Sequence, residues 1–214
     1  MRTLCLVAAM SLVLSAATVH AQSLELGFGG GPAFVEKVDG RSYTSDIDKA
    51  GLGFGLSYSI NGLARLSFDN SPFSWSGRIG YLHSSGSGTL PIAGLYIQGP
   101  GSVETRVDVW TLSVGPQWAI LRGPVTPYVG ADIQLSSFGK FHYKLTNALG
   151  TNDYLSGGGV RVGLGLNVGA QIALNPAMSL DLRAGYNLMS PLSTYGPSDF
   201  RTLGLSATMM FRVP

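Results

Sequence analysis

The chain is 214 residues long, with 30 glycines, 12% charged residues and a formal net charge of +2. Charge is about half the roughly 25% usual in soluble proteins, and glycine about twice its usual ~7%. A near-normal 45% of apolar residues excludes an intrinsically disordered chain, and 14 Lys+Arg against 12 Asp+Glu leave no basic excess for a nucleic acid.

The first segment reads as an address. Met1-Arg2-Thr3 is a short basic start, Leu4 to Leu14 is apolar but for Ser11, and Val19-His20-Ala21 offers small residues at the −3 and −1 positions of a cleavage site. This is the pattern of a secretory signal peptide over 1–21, too short for a membrane-spanning helix. The single cysteine, Cys5, lies within it. A mature chain of 22–214 is therefore expected to have neither a disulfide nor a zinc-cysteine site.

Beyond Ala21 no stretch is apolar for the ~18 residues of a helical span. Alternation takes over instead. Leu52, Phe54, Leu56, Tyr58 and Ile60 share one face against Gly51, Gly53, Gly55, Ser57 and Ser59. Val160, Val162, Leu164, Leu166, Val168, Ala170 and Ile172 oppose Arg161, Gly163, Gly165, Asn167, Gly169 and Gln171. Met178 to Leu188 and Leu203 to Phe211 repeat the pattern. Eight strands are expected, at 24–34, 51–61, 73–84, 103–121, 126–138, 158–174, 178–190 and 200–213. All exceed the ~5–6 residues of a soluble strand and are long enough for the ~9–11 needed to cross a bilayer at a tilt.

The polar faces are Gly, Ser, Asn and Thr with few charges, whereas a water-facing exterior needs roughly 25–35% charge. The apolar face is therefore expected to meet lipid, and the glycine-lined face to fill a narrow lumen. A soluble all-β fold with its apolar face inward is the alternative. Connections 35–50, 85–102, 139–157 and 191–199 are long, while 122–125 and 175–177 are tight turns. The 62–72 segment ends in Asp69-Asn70-Ser71-Pro72 and leaves the end of the second strand open. In the fourth strand the apolar parity changes between Val107/Val109 and Trp110/Leu112/Val114, which suggests a bulge or an exit from the membrane.

Aromatics are expected at two interfaces. Trp75 and Trp118 fall near one rim and Tyr81 and Trp110 near the other. Tyr58, Tyr128 and Phe211 fall low, Tyr186 and Phe200 high. By parity Glu25, Arg78, Asp132, Arg161, Asp181 and Arg183 face the lumen. An eight-stranded interior is only wide enough for side chains, so these charges are expected to pair as a plug, with Asp181 facing Arg161 or Arg183.

The signal peptide, eight alternating strands and aromatic terminal strand resemble the small outer-membrane β-barrels of the OmpA/OmpX type. The resemblance covers 22–214 and implies an all-β, eight-stranded antiparallel up-and-down barrel in the Gram-negative outer membrane, with both termini periplasmic. It implies lipopolysaccharide and the barrel-assembly machinery as partners, with Phe211 resembling the terminal aromatic that the machinery reads. Arg212-Val213-Pro214 follow that residue, a departure from the family pattern.

Chemistry is sparse. Gly163-x-Gly165-x-x-x-Gly169 has the wrong spacing for a dinucleotide loop and sits in a strand. His83 and His142 are too few for most metal clusters, and no cofactor is expected. His83-x-Ser85 with Glu104 on the next strand resembles the lipid A deacylase barrels, with Ser85 as nucleophile and His83 as base. However, Ser85 opens a Ser-Gly-Ser-Gly segment, and Gly86 stands where that family has Asn. Loop 35–50 gathers Glu36, Lys37, Asp39, Arg41, Asp46, Asp48 and Lys49. Loop 85–102 carries no charge but holds Leu90, Ile92, Leu95, Tyr96 and Ile97, and could contact lipid headgroups, another protein or a small hydrophobic solute, or fold over the barrel mouth. The expected function is a structural or surface-interaction role for a monomeric, non-enzymatic, plugged barrel. Porin-like passage of small hydrophobic solutes is one alternative, and lipid A acyl hydrolysis the other.

Overall fold

The computed structural model describes residues 23–38, 56–90, 101–147, 150–156, 159–190 and 200–213. The expected signal peptide, the charges from Asp39 to Lys49 and the apolar residues Ile92 to Ile97 lie outside the described residues. Ten strands make one antiparallel sheet. They are β1 (Ser23–Val38), β2 (Leu56–Ser67), β3 (Phe73–Leu90), β4 (Gly101–Ala119), β5 (Val125–Phe138), β6 (Phe141–Asn147), β7 (Gly150–Ser156), β8 (Gly159–Asn175), β9 (Met178–Ser190) and β10 (Phe200–Val213). The order β3-β2-β1-β10-β9-β8-β5-β4 closes through the β3–β4 pairing. Eight strands thus form a barrel, and closure leaves those strands without an edge.

Alternation decides which side is which. Along β8, Leu164 and Leu166 are 62% and 64% exposed on the outside, while Arg161, Gly163, Gly165 and Asn167 are buried inside. The other walls repeat this, with Phe28, Ile79, Ile133 and Leu205 outward. A continuous apolar exterior of this extent cannot face water. It suits lipid, in which a closed barrel satisfies every backbone polar group internally.

Four expectations are corrected, the first being loop 85–102: β3 runs on to Leu90 and β4 begins at Gly101, so Ser85 lies in a strand opposite Arg106. β2 runs on to Ser67 and takes up part of 62–72, leaving a turn in which Asn70 adopts a positive φ of 56°, a conformation Asn tolerates better than most residues. Segment 139–157 is not a plain loop. β5 breaks at Gly139, whose N–H bonds the Asp108 carbonyl at 2.8 Å. The chain then continues as β6, pairing with β4 from Ser102 to Arg106, and turns back as β7. A four-stranded extension, β3-β4-β6-β7, therefore rises at the long-loop end.

β4 carries no bulge against β3: its register is unbroken from Phe73↔Trp118 to Leu90↔Gly101. Val107 and Val109 point into the barrel and Trp110 and Val114 point out, so the backbone keeps its alternation. What changes along β4 is the chemistry of the lumen. Register shifts occur elsewhere, between Val35 and Lys37 and between Ala173 and Asn175.

Candidate functional site

The lumen is the most chemically specific part of the molecule, and it is built in layers. At the short-turn end Arg65, near the end of β2, lies at the centre. Its guanidinium contacts the Asp181 carboxylate, donates Nε to Gln117 Oε1 at 3.0 Å and lies 3.6 Å from Glu25 Oε2. Tyr128 donates its hydroxyl to the second oxygen of Asp181 at 2.9 Å, and its ring lies under Arg65 at 5.4 Å. Gln171 donates to Glu25 at 2.8 Å, and Arg212 reaches the same carboxylate at 3.7 Å from the rim. Buried carboxylates here are each held by more than one donor, the condition under which a low-dielectric interior tolerates them.

The middle layer centres on Asp132. Its Oδ2 contacts Arg183, lies 3.4 Å from Arg78 and accepts from Asn167 Nδ2 at 3.3 Å. Above it an amide–hydroxyl chain runs from Gln134 to Asn187 (2.5 Å) and on to Thr202 (2.9 Å). Small inward residues make room for these chains. A side chain at Gly29 would strike the β10 backbone, and one at Gly165 would strike the Gln134 amide.

At the long-loop end the lumen turns apolar. Ala33, Val35, Leu82, Val107, Val109, Phe138, Met189 and Phe200 form one buried cluster. Phe138 and Phe200 meet edge to face at 4.9 Å, and Arg161 stacks its guanidinium on Phe138 at 4.3 Å.

Glu25, Asp132, Arg161, Asp181 and Arg183 are all buried in the lumen, with Arg78 partly so. The expected pairing of Asp181 with Arg161 or Arg183 is replaced by another. Asp181 is held by Arg65 and Tyr128; Arg183 belongs to Asp132; Arg161 sits far along β8 from Gln171, the residue opposite Asp181. Arg65 and Tyr128 are the functional residues that sequence reasoning missed. Arg65 fell past the expected end of its strand, and Tyr128 was assigned to the low interface although it shares parity with Asp132. Phe200 likewise faces the lumen rather than the high interface, and Tyr58 lies high, opposite His83, because β2 runs on to Ser67 and Tyr58 stands near its start at the long-loop end.

On the outside, Trp75, Trp118 and Phe211 are about half exposed toward the short-turn end, with Phe73 stacked on Trp118 at 5.6 Å. Toward the other end Trp110 is exposed and packs on Tyr81 at 4.9 Å, and Tyr186 is half-buried. His83 faces outward just above Tyr81. Its register partner is Asp108, and Nδ1 lies 2.7 Å from Asp108 Oδ1, which also accepts from the Tyr81 hydroxyl at 2.7 Å. Glu104 stands opposite Ser87 and pairs with Lys144 at 3.8 Å. The carboxylate that holds His83 is thus Asp108 rather than Glu104. Among the described residues no cluster of His, Cys, Asp and Glu has the makings of a metal site.

The family described as the outer membrane protein beta-barrel domain matches residues 6–211. The chain belongs to it. That membership places the barrel in an outer membrane, in agreement with its apolar exterior. Among solved structures, neisserial surface protein A (NspA) is similar at 17% identity and a TM-score of 0.54, covering 89% of this chain and 97% of that one. Ail, the attachment invasion locus protein of Yersinia pestis, in complex with the heparin analogue sucrose octasulfate, is 15% identical, with 88% and 98% covered and a TM-score of 0.44. OprG of Pseudomonas aeruginosa is 12% identical, with 91% and 97% covered and a TM-score of 0.48. No curated protein matches the chain in sequence. At these identities the likeness is one of fold.

Proposed function

We propose that this barrel is a non-enzymatic, non-conducting outer-membrane protein that serves as a structural element and presents a surface outside the cell. The observation that carries the reading is the layered lumen. Paired charges fill the short-turn end, and the Val107–Phe138–Phe200 cluster closes the other. An ion would have to break buried salt bridges and then cross an apolar constriction. The surface part of the reading rests on the β3-β4-β6-β7 extension, which carries Arg106, His142, Lys144 and Asp153 on one exposed face. With both termini in the periplasm, that extension stands in the extracellular medium.

The decisive experiment is planar-bilayer recording of the refolded barrel. The expected outcome is no stable single-channel conductance, and large, steady openings would overturn the plug. The non-enzymatic part has its own test. His83 has an orienting carboxylate in Asp108, but Ser85 is exposed and makes no hydrogen bond to the imidazole among the described residues, whereas acyl hydrolysis requires about 2.6–3.2 Å between nucleophile and base. Lipid A incubated with the folded protein should keep all its acyl chains by mass spectrometry. Deacylation lost in both His83→Ala and Ser85→Ala would make the protein an enzyme.

A further inference from the structure

Between the salt-bridged layer and the apolar cluster lies a cavity of about 90 Å³, lined by Asn61, Arg78, Thr111, Gln134, Arg183 and Asn187 among others. At roughly 30 Å³ per water, it has room for about three waters. Its walls carry two guanidinium groups and, among the described residues, no carboxylate. Asp132, which both arginines share, lies outside the lining. One carboxylate oxygen therefore serves two cations, and both arginines line the cavity. Arg183 is 4% exposed, and its Nε has no hydrogen-bond partner among the described residues. A buried charged donor without an acceptor is costly.

We infer that this cavity is a binding site for one small monovalent anion, a halide or a compact oxyanion, held between Arg78 and Arg183. An anion there supplies the missing acceptor to Arg183 Nε and balances the second guanidinium against the single charge of Asp132. Water supplies an acceptor but no charge. Gln134 gives its Nε2 to Asn187 and leaves Oε1 without a partner among the described residues, so a water beside the anion completes the set. Size sets the selectivity: the volume admits chloride, bromide or nitrate and excludes gluconate. The site goes beyond the plugged-barrel reading and is separable from it, since a plug filled only with water would still block conduction.

The test uses bromide as probe and gluconate as the balancing anion at constant ionic strength. The barrel, refolded in detergent, is melted over a bromide titration. The expected result is a rise in Tm that grows with the logarithm of bromide above its Kd and reaches about 2–4 °C at about five times that Kd. Arg78→Gln should lose that rise while the folded, unheated species still forms on a gel. A crystal grown in bromide should show an anomalous peak in contact with Arg183 Nε. A Tm indifferent to bromide, a dependence that persists unchanged in Arg78→Gln, or a crystal with only water in the cavity would each overturn the inference.

Discussion

The two ends of the lumen do the same job with opposite chemistry. Toward the short turns Glu25, Arg65, Tyr128 and Asp181 hold one another by directed, charge-assisted hydrogen bonds. Toward the long loops Val107, Val109, Phe138, Met189 and Phe200 fill the same bore by shape. The charged end depends on each member, because losing one strands a buried partner. The apolar end distributes its contribution over many weak contacts and tolerates exchange among side chains of similar volume. Each end therefore fails differently, and mutation can separate them.

The largest effect is expected at Arg65. Arg65→Met keeps the stem but removes the cation from Asp181 and leaves Glu25 to Gln171 and Arg212. Breaking a buried pair on one side costs about 3–5 kcal/mol, readable as a lowered urea midpoint in lipid vesicles. Adding Asp181→Leu to Arg65→Met should recover part of that loss, since apolar replacement of a whole pair is often neutral. A double variant weaker by the full sum of the two single losses would show that the charged end is not one coupled unit.

Leu164→Arg comes next and tests the wall rather than the filling. Its side chain is 62% exposed on the apolar exterior, and a cation at the bilayer midplane costs about 2–4 kcal/mol. Equal folding of this variant and wild type in vesicles would remove the lipid-facing assignment of β8. The neighbouring Gly165→Ser must push the Gln134 amide aside and so disturbs the lumen instead. One residue along the strand changes the kind of failure, as the period of two requires.

How much of this was legible depended on which lumen chemistry a strand faced. β8, β9 and β10 alternate Gly, Ser, Asn and charge against Leu, Val and Met, so their bounds could be read almost to the residue. In β2 the signal failed. Leu63 faces the lumen while Gly62 and Ala64 face outward, so the contrast vanished and Arg65 was lost with it. An Arg between Leu63 and Leu66, just before Asp69-Asn70-Ser71-Pro72, was the available cue. The parity change in β4 had the same origin: Val107 and Val109 line the apolar end, which a reading that assumed a polar lumen throughout takes for a bulge or an exit from the membrane. Pairings across the barrel, such as Arg65 with Asp181, join strands distant in sequence, and only closure brings them together.

Tyr128→Phe probes the charged end more gently. It removes the hydroxyl from Asp181 and keeps the ring under Arg65. A hydrogen bond to a charged group contributes about 1.5–3 kcal/mol, so the urea midpoint should fall, but less than in Arg65→Met. An effect as large as that of Arg65→Met would make the tyrosine, rather than the guanidinium, the principal holder of Asp181.

Phe200→Leu should be the smallest of the four. Phe200 is fully buried against Phe138, which by burial alone would rank it among the most sensitive positions. Its partners, however, are apolar side chains, and no donor or acceptor is stranded when the ring is replaced. Leucine refills most of the volume, and apolar exchanges of similar size usually cost less than about 1.5 kcal/mol. The edge-to-face contact, about 0.5–1.5 kcal/mol, is the main part of that loss, and Met189 and Val109 of the same cluster close in on the smaller side chain. Bilayer recordings of the variant should remain silent, because the charged end is untouched. A Phe200→Leu barrel less stable than Arg65→Met would reverse the ranking of the two ends, and one that conducts would show that the apolar cluster alone closes the lumen.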